Sequence, residues 1–426
     1  MQEILSRVRK LFDLEERLND DIAMDIIVKT IFEYPEIANL SVEEQDNIIR
    51  KIFYKTRRRM GIIQPLIEDE DISEIMVNGP QKIFYEKNGK IFSYDMTFDS
   101  TDELEEVMRN IAADVHREIN EMNPIVDARL KDGSRVNGVY KNIAINGPAL
   151  TIRKFSDKYM NINDLVSSGT ISESGSVLLK TFVECGYNIF VSGGTSSGKT
   201  TLLNALAEAV PGEERVIVIE DSMELKLGYI DNIVHMECRN ANSQGKGLVT
   251  MADLIKSSLR MRPNRIIVGE VRGKEVVDML QAMNSGHSGS MSTGHGNSVK
   301  GMLRRLESMY LMGVNLNIDA IRGQIAEAID IMIHIEKMDD GIRRVTEIDE
   351  LLDYQGNEFI LNQIMKLNNE GILTYTNRKI ENSRRLFLKG EKIIEKLTDY
   401  GFIIQGYNDI LLGDNNNWHD DREYLL

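Results

Sequence analysis

Val191-Ser192-Gly193-Gly194-Thr195-Ser196-Ser197-Gly198-Lys199-Thr200 decides the reading of this chain. The run fits G-x-x-x-x-G-K-[ST], with the apolar stretch Tyr187–Val191 before it and the helix-like Thr201–Val210 after it. That is the strand, loop and helix context a phosphate-binding loop requires. Glycines let the backbone curl so that successive N–H groups converge, and the positive end of the following helix adds to the field on a bound phosphate. Lys199 then neutralises the β- and γ-phosphates of ATP, and the Thr200 hydroxyl holds Mg²⁺. A chance Gly/Ser/Thr match has no reason to supply strand, lysine, hydroxyl and helix together.

Working outward from the loop, strands alternate with helices. Strands are expected at Asn188–Val191, Arg215–Ile219, Asn232–Met236, Arg265–Val268 and Gly289–Ser292, with helices such as Met251–Arg260 and Lys274–Asn284 between them. This alternation marks an α/β parallel sheet covered by helices. Arg343–Glu350 adds a late strand. The reading assigns residues 165–355 to this nucleotide domain and 156–164 to a linker. Residues 61–155 carry short β-type runs punctuated by turns (Ile75–Val77 before Asn78-Gly79-Pro80, then Lys82–Tyr85) and a helix near Thr101–Glu118. Strands return at Ile125–Leu130, Arg135–Val139 and Leu150–Phe155, giving an α+β domain. Residues 1–60 read as a small helical bundle, with Leu5, Val8, Leu11 and Phe12 at helical spacing and a capping box at Ser41–Glu44. Residues 356–426 turn polar and form an appendage, with a helix at Lys389–Tyr400 and a mobile tail at Leu412–Leu426.

At 426 residues the chain exceeds the usual size of one core. Forty-two per cent hydrophobic against 28% charged residues is an ordinary globular balance. No apolar run approaches the roughly 20 residues that span a bilayer, and acids run through the first thirty residues, unlike a signal peptide. A cytoplasmic protein is expected. Cys185 and Cys238 form no C-x-x-C pattern, so neither a disulfide framework nor a zinc knuckle is implied. A formal net charge of −16 argues against general binding of polyanions, and no specific nucleic acid is expected. The basic run Lys55–Arg59 reads as a solvated helix face, with anionic lipid or a partner as the other reading.

Phosphoryl transfer to water needs a bound metal, an oriented water and cations against the developing charge. Arg215–Ile219 runs into Glu220, Asp221 and Glu224, carboxylates at the carboxyl end of a strand, where open α/β sheets bind ligands. Such an acid can take a proton from the attacking water; a solvated turn is the plainer alternative. Arg265–Val268 ends in Gly269-Glu270, and Glu270 is placed to hold the Mg²⁺ shell through water. His287 and His295 bracket a small-residue segment. Two histidines without cysteine make at most a partial zinc site, so the segment is either a polar sensor of the γ-phosphate or an ordinary Gly/Ser loop.

In this order the segments resemble the secretion and pilus-assembly ATPases of the type II/IV superfamily, and in particular its CpaF-like, tight-adherence branch. The resemblance covers roughly residues 60–355 and rests on Ile72–Pro80, Asp127–Asn137, Thr151–Phe155, the phosphate loop, Glu220 through Glu224, Val268–Gly273 and Met291–His295. It implies a RecA-like motor domain joined to an α+β N-terminal domain, assembled as a homo-hexamer that works with polytopic inner-membrane pilus or secretion platform proteins. It also implies roles. Glu224 is the preferred water-activating base with Glu220 as fallback, Glu270 belongs to the metal shell, and His287 and His295 sense nucleotide state. Arg129, Arg135 and Arg153 bring positive charge from the N-terminal domain, Arg153 within a nucleotide-binding set of Gly193, Gly194, Thr195, Ser196, Ser197, Gly198, Lys199, Thr200 and Thr201. The chain departs from the family pattern at Gly296 and in its acidic, Asn-rich end. A RecA-like nucleic-acid translocase is the rival reading, since fold does not fix function; a small-molecule kinase is a more distant one.

Overall fold

The first 57 residues fold as helices because their apolar positions recur on one face. Helices Gln2–Asp13, Asp20–Phe32, Pro35–Ala38 and Val42–Arg57 bury Ile4, Val8, Ala23, Ile27, Ile31, Ile52 and Phe53 in a shared cluster. The expected capping box opens the fourth: Glu44 N–H donates to Ser41 Oγ at 3.3 Å and Glu44 Oε2 accepts from Ser41 N–H at 2.9 Å. The computed structural model describes residues 2–15, 17–115, 117–130, 132–155, 160–239, 241 and 245–407. Two compact units divide at Asp157/Lys158. Among the described residues no helix is long and apolar enough to cross a membrane.

In the first unit, β1 (Ile72–Asn78), β2 (Ile83–Lys87), β3 (Lys90–Ser93), β4 (Ile125–Arg129), β5 (Arg135–Val139) and β6 (Ala149–Arg153) form an antiparallel sheet in the order β3-β2-β1-β6-β5-β4. Its even-numbered β5 and β6 positions, Val136, Leu150 and Ile152, share a core with Leu104, Met108 and Ile111 of helix Thr101–Asp114. Alternation of buried and outward residues is what a half-covered antiparallel sheet requires. The cations of the basic run Lys55–Arg59 all have carboxylate partners within the first unit. Lys55, only 4% exposed, pairs with Asp99 and Glu103; Arg57 and Arg58 pair with Asp20, and Arg59 with Asp114. Lys55 is packed away, whereas Arg57 and Arg58 are half-buried and Arg59 is exposed, so the run is a solvated face only in part.

The second unit holds a nine-stranded sheet. β7 (Ile189–Gly193), β8 (Val216–Glu220), β9 (Ile233–Glu237), β10 (Arg265–Val268), β11 (Met291–His295) and β12 (Ile331–Lys337) are mutually parallel in the order β12-β7-β11-β10-β8-β9. The α/β expectation holds. Both faces are covered: Ile189 and Val191 of β7 join one core, Phe190 the other. Each such buried aliphatic side chain contributes about 1.5–3 kcal/mol.

Two elements differ from the reading of the sequence. The polar stretch after residue 356 is no separate appendage, because β13 (Arg343–Gln355), β14 (Glu358–Leu367) and β15 (Leu373–Tyr375) continue the same sheet antiparallel from β12. The second half of the expected linker is helix Ile162–Ser167, capped by Asn161, whose side chain accepts from the N–H groups of Asn163 and Asp164. The helix expected at Lys389–Tyr400 spans Glu391–Asp399. Residues 156–159 of the linker and the tail expected at 412–426 lie outside the described residues.

Candidate nucleotide site at the carboxyl edge of the parallel sheet

The loop between β7 and helix Lys199–Ala207 is shaped before any ligand chemistry is invoked. Ser196 and Gly198 both take positive φ, +57° and +98°, which turns successive peptide N–H groups inward as in anion-binding nests. Gly193 has no room for a side chain, since a Cβ there would lie 2.4 Å from the Ile335 carbonyl and 2.5 Å from Ser197 Oγ. Ser197 is 2% exposed and its Oγ has no hydrogen-bond partner. A buried hydroxyl of this kind costs free energy unless something bonds it. Lys199, 7% exposed, donates to the carbonyls of Gly193 at 3.1 Å and Gly194 at 2.7 Å. Thr195 and Ser196 are exposed, Thr200 and Thr201 half-buried. The curled backbone, orphan hydroxyl and buried ammonium fit a phosphate chain.

Parallel register carries the other groups to this edge. His295 pairs with Gly193, Val268 with Ile219, and Glu220 closes β8 beside them. Nε2 of His295 stands 2.9 Å from Glu270 Oε1, an ion-pair approach at an angle outside that of a hydrogen bond. Its Nδ1 lies 3.4 Å from Lys199 Nζ. An ammonium only donates, so Nδ1 accepts and the proton sits on Nε2, the nitrogen beside Glu270. Burial lowers the His295 pKa against the pull of Glu270. For Glu270 burial pushes upward, but the Arg272 hydrogen bond and the charges of Arg272, His295 and Lys199 prevail and hold it below the usual carboxylate range. Arg272 Nη2 is 3.0 Å from Glu270 Oε2.

Glu220 and Glu224 separate by environment. Glu220 is 4% exposed, and its Oε1 accepts the N–H groups of Glu224 at 2.9 Å and Leu225 at 3.1 Å. It fastens the turn that carries Glu224, which is half-buried. Among the described residues no three His, Cys, Asp or Glu cluster as a metal cage. Mg²⁺ asks for none, since it keeps waters and uses one or two protein groups with substrate phosphates; Thr200 and Glu270 suit that role.

The remaining expectations divide. Arg129, Arg135 and Arg153 do come together: Arg129 pairs with Arg135 and Arg135 with Arg153 across β4, β5 and β6 in the first unit, with Glu74 next in the row. Directly opposed like charges destabilise a sheet unless other groups offset them. His287 is not brought to the loop of its own chain. It precedes β11 at the amino edge, with Nδ1 3.2 Å from the Ala282 carbonyl, while His295 ends that strand at the carboxyl edge. Four strand steps separate the edges by roughly 13 Å. Two groups had escaped the sequence. His334 on β12, 1% exposed, sets Nδ1 2.7 Å from Ser192 Oγ under the loop, and Arg343 donates Nε to the Ser196 carbonyl at 3.0 Å.

Residues 56–384 match the type II/IV secretion system protein family. The chain belongs to that family. An uncharacterized protein of Methanocaldococcus jannaschii is 40% identical over 264 residues, which make up 60% of this chain and 36% of that protein. The conjugal transfer protein TrbB of Rhizobium radiobacter is 33% identical over 299 residues, 69% of this chain and 88% of TrbB. The fold of this secretion-family chain is similar to that of the pilus retraction motor PilT crystallised with ADP, at a TM-score of 0.50 and 19% identity over 80% of this chain and 88% of PilT. The second unit has the RecA-like α/β fold expected from its sequence.

Proposed function

We propose that this chain is a CpaF-like motor that hydrolyses ATP with Mg²⁺ as a homo-hexamer and drives pilus assembly, pilus retraction or secretion through polytopic inner-membrane platform proteins. The observation that carries the reading is the convergence of Lys199, His295 and Glu270 beside a loop whose buried Ser197 hydroxyl lacks a partner. Bound Mg²⁺ supplies charge against the phosphoryl oxygens. Lys199 holds the β- and γ-phosphates, Glu270 and Thr200 orient the metal shell, and Glu224 takes the proton of the attacking water. His295 reports through Glu270 whether the γ-phosphate side of Lys199 is engaged.

The arginine row of the first unit supports a ring, in which a neighbouring subunit or domain closure delivers Arg129 and Arg135 to the nucleotide. A late-arriving arginine can add about 10³–10⁵ in rate, which makes hydrolysis depend on closure. Light scattering and ATP turnover across a protein-concentration series test this. A hexamer whose turnover per chain rises with assembly and falls in Arg129→Ala and Arg135→Ala is expected; a monomer at full rate, indifferent to both substitutions, overturns it. DNA-stimulated turnover would instead support a nucleic-acid translocase.

A further inference from the structure

Two polar side chains interrupt the apolar strands at the root of the phosphate loop. Ser192 follows Ile189, Phe190 and Val191 on β7, His334 follows Ile331, Met332 and Ile333 on β12, and the parallel register sets the two opposite each other. Ser192 is fully buried and His334 is 1% exposed. A hydroxyl and an imidazole at such positions cost free energy unless they bond. They bond to each other: His334 Nδ1 lies 2.7 Å from Ser192 Oγ, which also reaches the Ile333 carbonyl at 3.1 Å. Places where a sequence breaks its local apolar pattern are where function is expected.

The far side of the ring meets a carboxylate. His334 Nε2 stands 3.0 Å from Oε1 of the exposed Glu336, at an angle outside that of a hydrogen bond. A carboxylate has no proton to give, so the ring proton sits on Nε2 and Nδ1 accepts from Ser192. Burial lowers the His334 pKa against the pull of Glu336 on its own strand and of Glu347 on β13, and the Lys199 ammonium adds to the lowering. One residue further on, Ile335 pairs with Gly193, where the Ile335 carbonyl leaves no room for a side chain. The Gly193 carbonyl in turn accepts from Lys199 Nζ at 3.1 Å. Ser192 is therefore one peptide away from the group that seats the phosphate cation.

We propose that His334 is a positioning residue for ATP hydrolysis: from β12 it fixes Ser192, and through the peptide joining Ser192 to Gly193 it sets the direction from which Lys199 meets the γ-phosphate. It acts without touching a substrate atom. The proposal rests on the reading of Gly193–Thr200 as an ATP site.

The test is a double-mutant cycle on the full chain, with kcat and KM for ATP, ADP affinity by calorimetry and thermal melting of each variant. His334→Ala and Ser192→Ala are each expected to lower kcat about fivefold to tenfold with ADP affinity held within about twofold, because the loop N–H groups still bind phosphate while Lys199 is misdirected. The double variant should lose no more than the worse single, since both act through one contact. His334→Gln, whose amide oxygen can accept from Ser192 Oγ, should recover at least about half of the wild-type kcat. Losses that multiply in the double variant, proportional losses of kcat and ADP affinity, no recovery in His334→Gln, or a kcat untouched by His334→Ala would each overturn the proposal. If His334→Ala melts below the assay temperature, Ser192→Ala, which deletes only a hydroxyl oxygen, decides: the same fall in kcat supports the proposal and a normal kcat overturns it. Wild-type protein that neither binds ADP nor hydrolyses ATP would overturn the ATP site itself, a failure distinct from these.

Discussion

His295 and Glu270 face each other at 2.9 Å across the carboxyl ends of β11 and β10, and the far nitrogen of the same ring lies 3.4 Å from Lys199. One imidazole thus lies beside both Glu270 and Lys199. His295→Ala is expected to keep ADP affinity within about threefold while ATP turnover falls at least about tenfold, because Glu270 and Lys199 remain but lose their common link. Steady-state kinetics beside a binding titration check it; a proportional loss of affinity and turnover would make His295 a binding group only.

Glu220 works through the backbone. Its Oε1 fastens two N–H groups in a buried turn, so Glu220→Ala is expected to destabilise the second unit by about 1–3 kcal/mol. A denaturant midpoint indistinguishable from wild type would refute that role.

Asp349 gives a pH signature. Burial, then the charge of Glu347, pushes its pKa up to about 7, and its Oδ1 has no hydrogen-bond partner. A carboxyl whose pKa is raised on folding stabilises the protein fully below its unfolded pKa near 4, and loses that contribution as pH rises to about 7. Asp349→Asn does not titrate. The variant is expected to gain on wild type between pH 4 and 7 and to be more stable at pH 8 by on the order of 1–4 kcal/mol. Parallel stability curves for the two proteins would contradict this.

The phosphate loop, β8, β10 and the end of β11 were legible because each is a short apolar strand running into a polar group, a pattern whose chemistry depends on local order. Of the sheet beyond β7 only the late strand at Arg343–Glu350 was read. Ile331–Ile335 is an apolar run directly after helix Ile318–Ala328, and periodicity alone does not tell such a run from more helix. Without β12 there was no means of seeing His334 opposite Ser192, nor that β13 would return Arg343 to the loop, since both follow from long-range register. That His287 and His295 lie at opposite edges was hidden for the related reason that a small-residue segment shows no sign of crossing the whole sheet. Sequence likewise placed three arginines in one domain but could not show that β4, β5 and β6 align them in a single row.

The central claim is that this loop and its flanking carboxylates hydrolyse ATP with Glu224 as the base, and Glu224→Gln tests it most directly. The amide keeps the size of the side chain but cannot take a proton, so ADP binding and thermal melting should match wild type while ATP turnover falls by about 10²–10⁴. Lys199→Ala, folded but inactive, is the companion control. Near-normal turnover in Glu224→Gln, with Glu220→Gln the crippled variant instead, would contradict the account.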